Sequence, residues 1–371
     1  MAVAGEVIVM RVYDLGATLH MNKAREVLGP MAAAATVQSP RAVPEYVSYA
    51  APIPLDLSSL RLEMTATTTA GASIPVSVSA RLYEVGALAI SLRLTVKCDK
   101  LSELNAFPNA NFRLNGLPVK RSDIFGRIVD VVRTQVKPAV DEVFDVPVDS
   151  EPYTAFCLVE VPGGAEKIFR DERAHMAGLL IGDAQPERLS SGEIEDTLRN
   201  SHSYYRDDLV IADWDAAIIV EPTGQYEDIL YVCEVANLQL LALRKYDAYL
   251  DNTLEKGYDD FERLTKGPPI WTGRAREMVR ELSEVRMDLA QVTDEVANTA
   301  KFFGDWYTAR VYMGLAEKLH IADYHKIVEE KLATLNDLYQ SVSNEIISRQ
   351  NLVLEATIVL LIVFEVVMAL I

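Results

Sequence analysis

Hydrophobic and polar positions follow two rhythms along this chain, a two-residue alternation in the first half and a helical repeat through nearly all of the second. Glu6 to Tyr13 carries the β-branched Val7, Ile8, Val9 and Val12, which suit a pleated surface and predict a first strand. Ile74, Val76, Val78, Ala80 and Leu82 alternate, Val85-Gly86 permits a turn, and Leu88, Ile90, Leu92 and Leu94 line one face, so residues 74–84 and 87–96 read as a hairpin. Ile124, Ile128, Val131, Val132, Val136 and Val140 recur at helical spacing and end near Pro138, which predicts an amphipathic helix packed on that sheet. Thr154 to Val161 reads as a strand closed by Pro162-Gly163-Gly164. Residues 209–211 and 216–220 flank Asp213-Trp214-Asp215 as a second hairpin. Five prolines between Pro30 and Pro54 mark an irregular connection.

From about Gln225 the strand signal stops. A first long helix is predicted over residues 226–254, followed by a connection through Gly257 and Gly267-Pro268-Pro269, and a second over residues 275–319. In the second, Leu282, Val285, Leu289, Val292, Val296 and Phe303 fall at intervals of three, four, three, four and seven, a heptad seam. A third helix starts near Ile321, where Val328, Leu332, Leu335, Tyr339, Val342 and Ile346 keep the same rhythm and lead into the apolar end without a Gly or Pro. Fifty continuous helical residues would measure roughly 75 Å. The expected fold class is therefore α+β: a mixed N-terminal domain of hairpins and short helices (1–222), long antiparallel, coiled-coil-like helices forming a stalk (223–350), and a C-terminal apolar helix (351–371).

That last helix is different in kind. Leu352 to Ile371 holds seventeen apolar residues, one Thr and two Glu, and about twenty helical residues span roughly the 30 Å of a bilayer core. Fourteen of them are Leu, Ile, Val or Phe, worth on the order of −4 to −8 kcal/mol on the insertion scale, against roughly 2.5 to 3.5 for an acidic residue at the centre. Membrane insertion is the expectation, with a buried core helix or the central helix of an oligomer as the alternative. Glu355 lies at the entry, within reach of headgroups. Glu365 lies well inside and needs a proton or a partner. Leu354, Ile358, Leu361 and Met368 flank Glu365 at helical spacing, so its carboxyl would bond between sister helices, line an ion path or, in a soluble helix, face water. A single span supplies few walls for a path, which favours association through Glu355, Leu361, Phe364 and Glu365. As nothing follows Ile371, insertion would be that of a tail anchor. The N-terminus lacks the basic flank and apolar run of a secretory signal, so the head is expected on the cytoplasmic side.

Composition narrows the chemistry. The 371 residues carry 36 Lys and Arg against 54 Asp and Glu, a net charge of −18, and no basic patch offsets it, so nucleic acid is excluded as a partner. Three widely spaced cysteines, Cys98, Cys157 and Cys233, suggest neither disulfides nor a zinc knuckle and read as small buried hydrophobes in a reducing compartment. His320 and His325 are five apart, the wrong interval for a metal pair on one helix face. Pro162-Gly163-Gly164 lacks the Lys-Ser/Thr of a P-loop, and no dinucleotide or serine-hydrolase signature is present. No catalytic residue, cofactor or metal is expected. The dense run from Lys301 to Arg310, with Phe302, Phe303, Asp305, Trp306, Tyr307 and Arg310, reads as a bulky packing layer or as a partner surface.

Three runs resemble the "required for meiotic nuclear division" family, domain of unknown function 155: residues 234–251, residues 299–310, and the ending of residues 354–367, an apolar helix bracketed by Glu355 and Glu365. The resemblance covers residues 203–371. It implies a C-terminally membrane-anchored protein whose eukaryotic relatives sit on the mitochondrial inner membrane and support translation there, or act in septation; it carries over no catalytic residue. The expected function is a non-enzymatic, membrane-tethered scaffold or assembly factor that self-associates through its stalk, with membrane lipid, a second copy and an unidentified protein as partners. The alternative is an oligomeric ion channel or transporter whose C-terminal helix lines the pore, similar to magnesium channels. Those carry two spans and a Gly-Met-Asn signature, to which Met313-Gly314 is the nearest approach. An enzyme in the head is the third reading, without support in the sequence.

Overall fold

A computed structural model of the chain describes residues 2–15, 19–33, 52–68, 73–140, 150–266 and 306–370, with Arg280 and Ser283 besides. Most of the proline-containing connection, the seam from Leu282 to Phe303 and the residues Phe302, Phe303 and Asp305 lie outside the described residues. Two units are distinguished, residues 1–242 with 298–322, and residues 243–297 with 323–371.

Strand β1 (Val3–Asp14) lies inside the sheet of the first unit because it is long and apolar on both faces. The further strands are β2 (Ile53–Leu55), β3 (Met64–Thr67), β4 (Ser73–Leu82), β5 (Ala87–Cys98), β6 (Asn111–Leu114), β7 (Leu117–Val119), β8 (Ser150–Glu160), β9 (Ser201–His202), β10 (Leu209–Ala212) and β11 (Ala216–Val220). Their order across the sheet is β7, β6, β3, β4, β5, β1, β8, β11, β10, β9, with β2 added to β4. Both expected hairpins are present, β4 with β5 and β10 with β11, each antiparallel. β8 and β11 run parallel, which requires a crossover. It is supplied by α3 (Ala165–Asp171), α4 (Arg173–Ile181) and α5 (Ser191–Thr197).

One face of the sheet presents large side chains, among them Val7, Val9, Ile90, Leu92, Leu94, Phe156 and Ile218. They share a core with Ala24 and Leu28 of α1 (Met21–Leu28), and with Ile124, Phe125, Ile128 and Val132 of α2 (Arg121–Val136). α2 is the helix that the spacing from Ile124 to Val136 predicts. The opposite face mixes small groups, Ala89, Ser91, Ala155, Cys157 and Ala217, with the larger Ile8, Met10, Tyr153 and Ile219, and these are buried too. Helix α6 (Glu227–Lys266) covers that face with its first turns. The alternation in β5 therefore separates large from small positions, not buried from exposed ones.

Charged groups fix α6 to the sheet. Arg81 of β4 donates to Glu234 Oε2 at 2.6 Å, and the Tyr83 hydroxyl donates to the same oxygen at 2.6 Å. Arg93 of β5 grips Glu227 with two bonds of 2.5 and 2.9 Å, and the Tyr226 hydroxyl donates to Glu6 of β1 at 2.9 Å. Glu234 is buried; desolvation followed by the Glu234 charge pushes the Tyr83 hydroxyl well above 10.0. Glu234 depends on its cation, because a buried charge left unpaired is costly, whereas Glu227 is half exposed and keeps water beside Arg93.

In the second unit, α6 buries Leu243, Leu250, Leu254 and Gly257, and α8 (Ile321–Leu370) buries Val328, Leu335, Leu338, Val342 and Ile346. Leu332 and Tyr339 are half-buried on the same stripe. Lys331 of α8 lies 2.5 Å from Asp247 and 2.6 Å from Asp251 of α6. Gly257 does not open a connection as its residue type suggests: it sits inside α6, and the helix continues to Lys266. One glycine costs a helix only about 1 kcal/mol, which tertiary packing outweighs.

At Gly5 the pairing of β1 with β8 shifts register, and a Cβ there would lie 2.0 Å from the Cys157 carbonyl oxygen. Gly5→Ala is expected to lower stability by about 1–3 kcal/mol or more, read as a lower urea midpoint; an unchanged midpoint would contradict this close approach. Burial alone would raise the Glu227 carboxyl, but the hydrogen bonds and charge of Arg93 outweigh it and hold the group below its ordinary 4.5. The contribution of this pair is thus complete above pH 4.5 and fades as pH falls through the lowered value. Glu227→Gln should flatten the acid limb of the melting-temperature profile below pH 4.5. An identical limb in the variant would rule out this role.

Candidate functional site

Helix α7 (Trp306–Lys318) belongs to the first unit and packs against the β9–β10 region. Its inner face is apolar, with Val311 and Leu315 buried, and the buried Tyr312 hydroxyl donates to Gln239. Burial pushes that hydroxyl up to about 12. Gly314 permits the closest approach: its carbonyl accepts from Asn200 Nδ2 at 2.8 Å, and a Cβ on it would meet His202 Nε2 at 2.6 Å. At the end of the helix, Lys318 lies 3.2 Å from Asp213 and donates to the Asp196 carbonyl at 2.9 Å. Burial, then the neighbouring Asp213, raises the Asp215 carboxyl above 3.8.

The loop between β9 and β10 is shaped by Asp208, whose two carboxylate oxygens accept from the backbone N–H groups of Tyr204 and Tyr205 at 2.7 and 2.9 Å. This turns both rings outward, where they are 59% and 65% exposed. Tyr204 stands edge-on to Tyr205 at 4.7 Å and to Tyr307 of α7 at 5.5 Å, and the Arg310 guanidinium lies 5.8 Å from the Tyr307 ring centre. Trp306 is 73% exposed. Of the aromatic and charged run that the sequence singles out, Trp306 therefore stands outside any packing layer, and Tyr307 and Arg310 are half-buried at the rim of this surface. Tyr204 and Tyr205 join them from about a hundred positions away, a juxtaposition without a local signal in the sequence.

All three cysteines are buried and unbridged, and burial pushes the Cys98 and Cys233 thiols up to about 11 and about 12, so reactive thiolate is scarce. Among the described residues no three His, Cys, Asp or Glu side chains converge as metal ligands. His202 is drawn below 6.5 by burial and then by the Arg310 charge, which keeps it neutral near pH 7.

The other predicted site residues lie elsewhere. Glu355, Leu361, Phe364 and Glu365 all project from the C-terminal part of α8, and every side chain described from Asn351 to Ala369 is exposed. α8 is long and apolar enough to cross a membrane, its most apolar window having a mean hydropathy of 2.5 and none of it buried.

Comparison with known proteins overturns the resemblance to the meiotic division family, since the matching family model lies over residues 4–227, in the N-terminal part. Runs of apolar residues at helical spacing occur in many unrelated long helices, which is why the C-terminal half misleads. An uncharacterized protein, MJ0711, of Methanocaldococcus jannaschii is 26% identical over 220 residues, covering 59% of this chain and 66% of that protein. No solved structure matches the chain. With 4–227 matched, more than half of its length, the chain belongs to the family described as "Uncharacterized protein MJ0711, N-terminal domain".

Proposed function

We propose that this protein is a non-enzymatic, membrane-tethered scaffold whose first unit presents a binding surface to a protein partner. The observation that carries the reading is the C-terminal part of α8, apolar around its circumference except at Glu355 and Glu365, with every described residue from 351 to 369 exposed. A helix with no polar face has no stable place in water, and a bilayer removes its apolar surface from solvent without requiring a fitted protein partner. Arg349 stands just before the apolar stretch, which favours keeping the preceding residues on the cytoplasmic side. The heptad stripe of α8 from Val328 to Ile346 is largely buried within the single chain. Self-association therefore falls to the membrane helix, where Glu365 is the costly group that a second copy would satisfy.

Fractionation tests the tether. The full chain should sediment with membranes, resist a high-salt wash and require detergent for release, whereas a variant ending at Gln350 should stay in the soluble fraction. Equal solubility of the two would remove the anchor from the account.

A further inference from the structure

Helix α7 packs inward through Val311, Tyr312 and Leu315, whereas Trp306, Met313 and Glu317 stand exposed at intervals of seven and four, which places them together on its outer side. Tyr204 and Tyr205 adjoin one end of this face. At the other end His320 follows the helix in a left-handed conformation, with φ of 52°, and its ring lies 5.8 Å from that of the exposed Trp214, in the turn between β10 and β11. Trp, Tyr and Met side chains are what protein interfaces concentrate relative to other surfaces. Acidic groups border the His320 end. Lys318 is taken by Asp213 and by the Asp196 carbonyl, and among the described residues no cation meets Asp215 or Glu317. Asp213 adds its charge beside Asp215. Such a border repels anionic headgroups and nucleic acid, and a second copy docked through the same face would bring a matching set of acids. The complementary occupant is basic.

We propose that this outer face docks a basic segment of a protein partner, an arginine or lysine of which lies on the open side of the Trp214 ring and pairs with Asp215, while apolar side chains of the segment seat against Met313 and Trp306. A cation is attracted to the face of an indole, and the adjoining carboxylate adds opposite charge at the same place. From Trp306 to His320 the face is roughly 20 Å long, the span of about six extended residues. The partner meant is that of the scaffold reading, on which the assignment rests, and the whole face belongs to the first unit.

The test exposes the full chain in nanodiscs to a phage library of random short peptides already depleted on empty nanodiscs. Recovered peptides should carry more Arg and Lys than Asp and Glu, interleaved with apolar residues, and one of them, synthesised, should bind saturably by calorimetry. Trp214→Ala, and separately Asp215→Asn with Glu317→Gln, should each weaken that peptide at least about fivefold. Glu26→Gln with Asp130→Asn, which neutralises two exposed acids on α1 and α2, should leave it within about twofold; circular dichroism of each variant checks the fold. Neutral or acidic recovered peptides would overturn the proposal, as would a loss on neutralising Glu26 and Asp130 as large as that on neutralising Asp215 and Glu317. So would a dimer in detergent that Met313→Glu dissociates, since it would give the face to a second copy. Peptides that bind the Trp214→Ala variant unchanged would remove this face and leave a partner surface elsewhere, and recovery of no peptide would end both; sedimentation with membranes reads the tether separately.

Discussion

Apolar side chains on every side of a helix demand a solvent other than water, and from Leu352 onward α8 presents such a surface continuously. At roughly 25 cal/mol for each Å² removed from water, the insertion of a span this long outweighs the cost of the two acidic residues it carries. The same helix behaves differently nearer its start, where Val328, Leu335, Leu338 and Val342 are buried on one stripe while polar residues such as Glu329, Glu330, Asn336 and Asp337 take the other faces. One continuous helix thus changes from a stripe, which a protein surface can cover, to an all-round apolar rod, which suits lipid. The functional reading depends on that change.

The first unit solves another problem, that of a sheet buried on both faces. Large residues on one side interdigitate with α1 and α2, and on the other the small Ala89, Ser91, Ala155 and Ala217 lie among Ile8, Met10 and Tyr153 under α6. Close approach of a helix to a sheet leaves little space for water, so the charges at that boundary must satisfy one another. Arg81 with Glu234 and Arg93 with Glu227 do so, assisted by Tyr83 and Tyr226. Replacing Arg81 by an apolar residue would leave the buried Glu234 without its cation, which makes that pair a condition for docking more than a source of added stability; Glu227 is half exposed.

Much of this architecture is legible in the sequence because it rests on local periodicity. The strand predicted at Glu6 to Tyr13 is β1, the alternation from Ile74 to Val96 is the β4–β5 hairpin, and the helical run from Ile124 is α2. The unbroken helix from Ile321 is α8. What could not be read depends on residues distant in the chain. Arg93 within Leu92-Arg93-Leu94 reads locally as a solvent-facing position, because its partner Glu227 lies 134 residues away. Trp306, Tyr307 and Arg310 attract attention by density alone, but nothing local announces Tyr204 and Tyr205 beside them. Gly257 signals a break that packing overrides. The mistaken family resemblance has a related origin, for apolar helical patterns are dictated by environment and carry little ancestry.

The central claim, that the end of α8 resides in lipid, is tested most directly by the depth of a spin label at Val359. Cys98, Cys157 and Cys233 are buried, so a Val359→Cys variant of the full chain, reconstituted in vesicles, takes the label at one exposed position. The account predicts that dissolved oxygen, which partitions into hydrocarbon, relaxes the label strongly and that a water-soluble nickel chelate barely reaches it. Strong relaxation by the chelate with little effect of oxygen would place the helix in water and contradict the account.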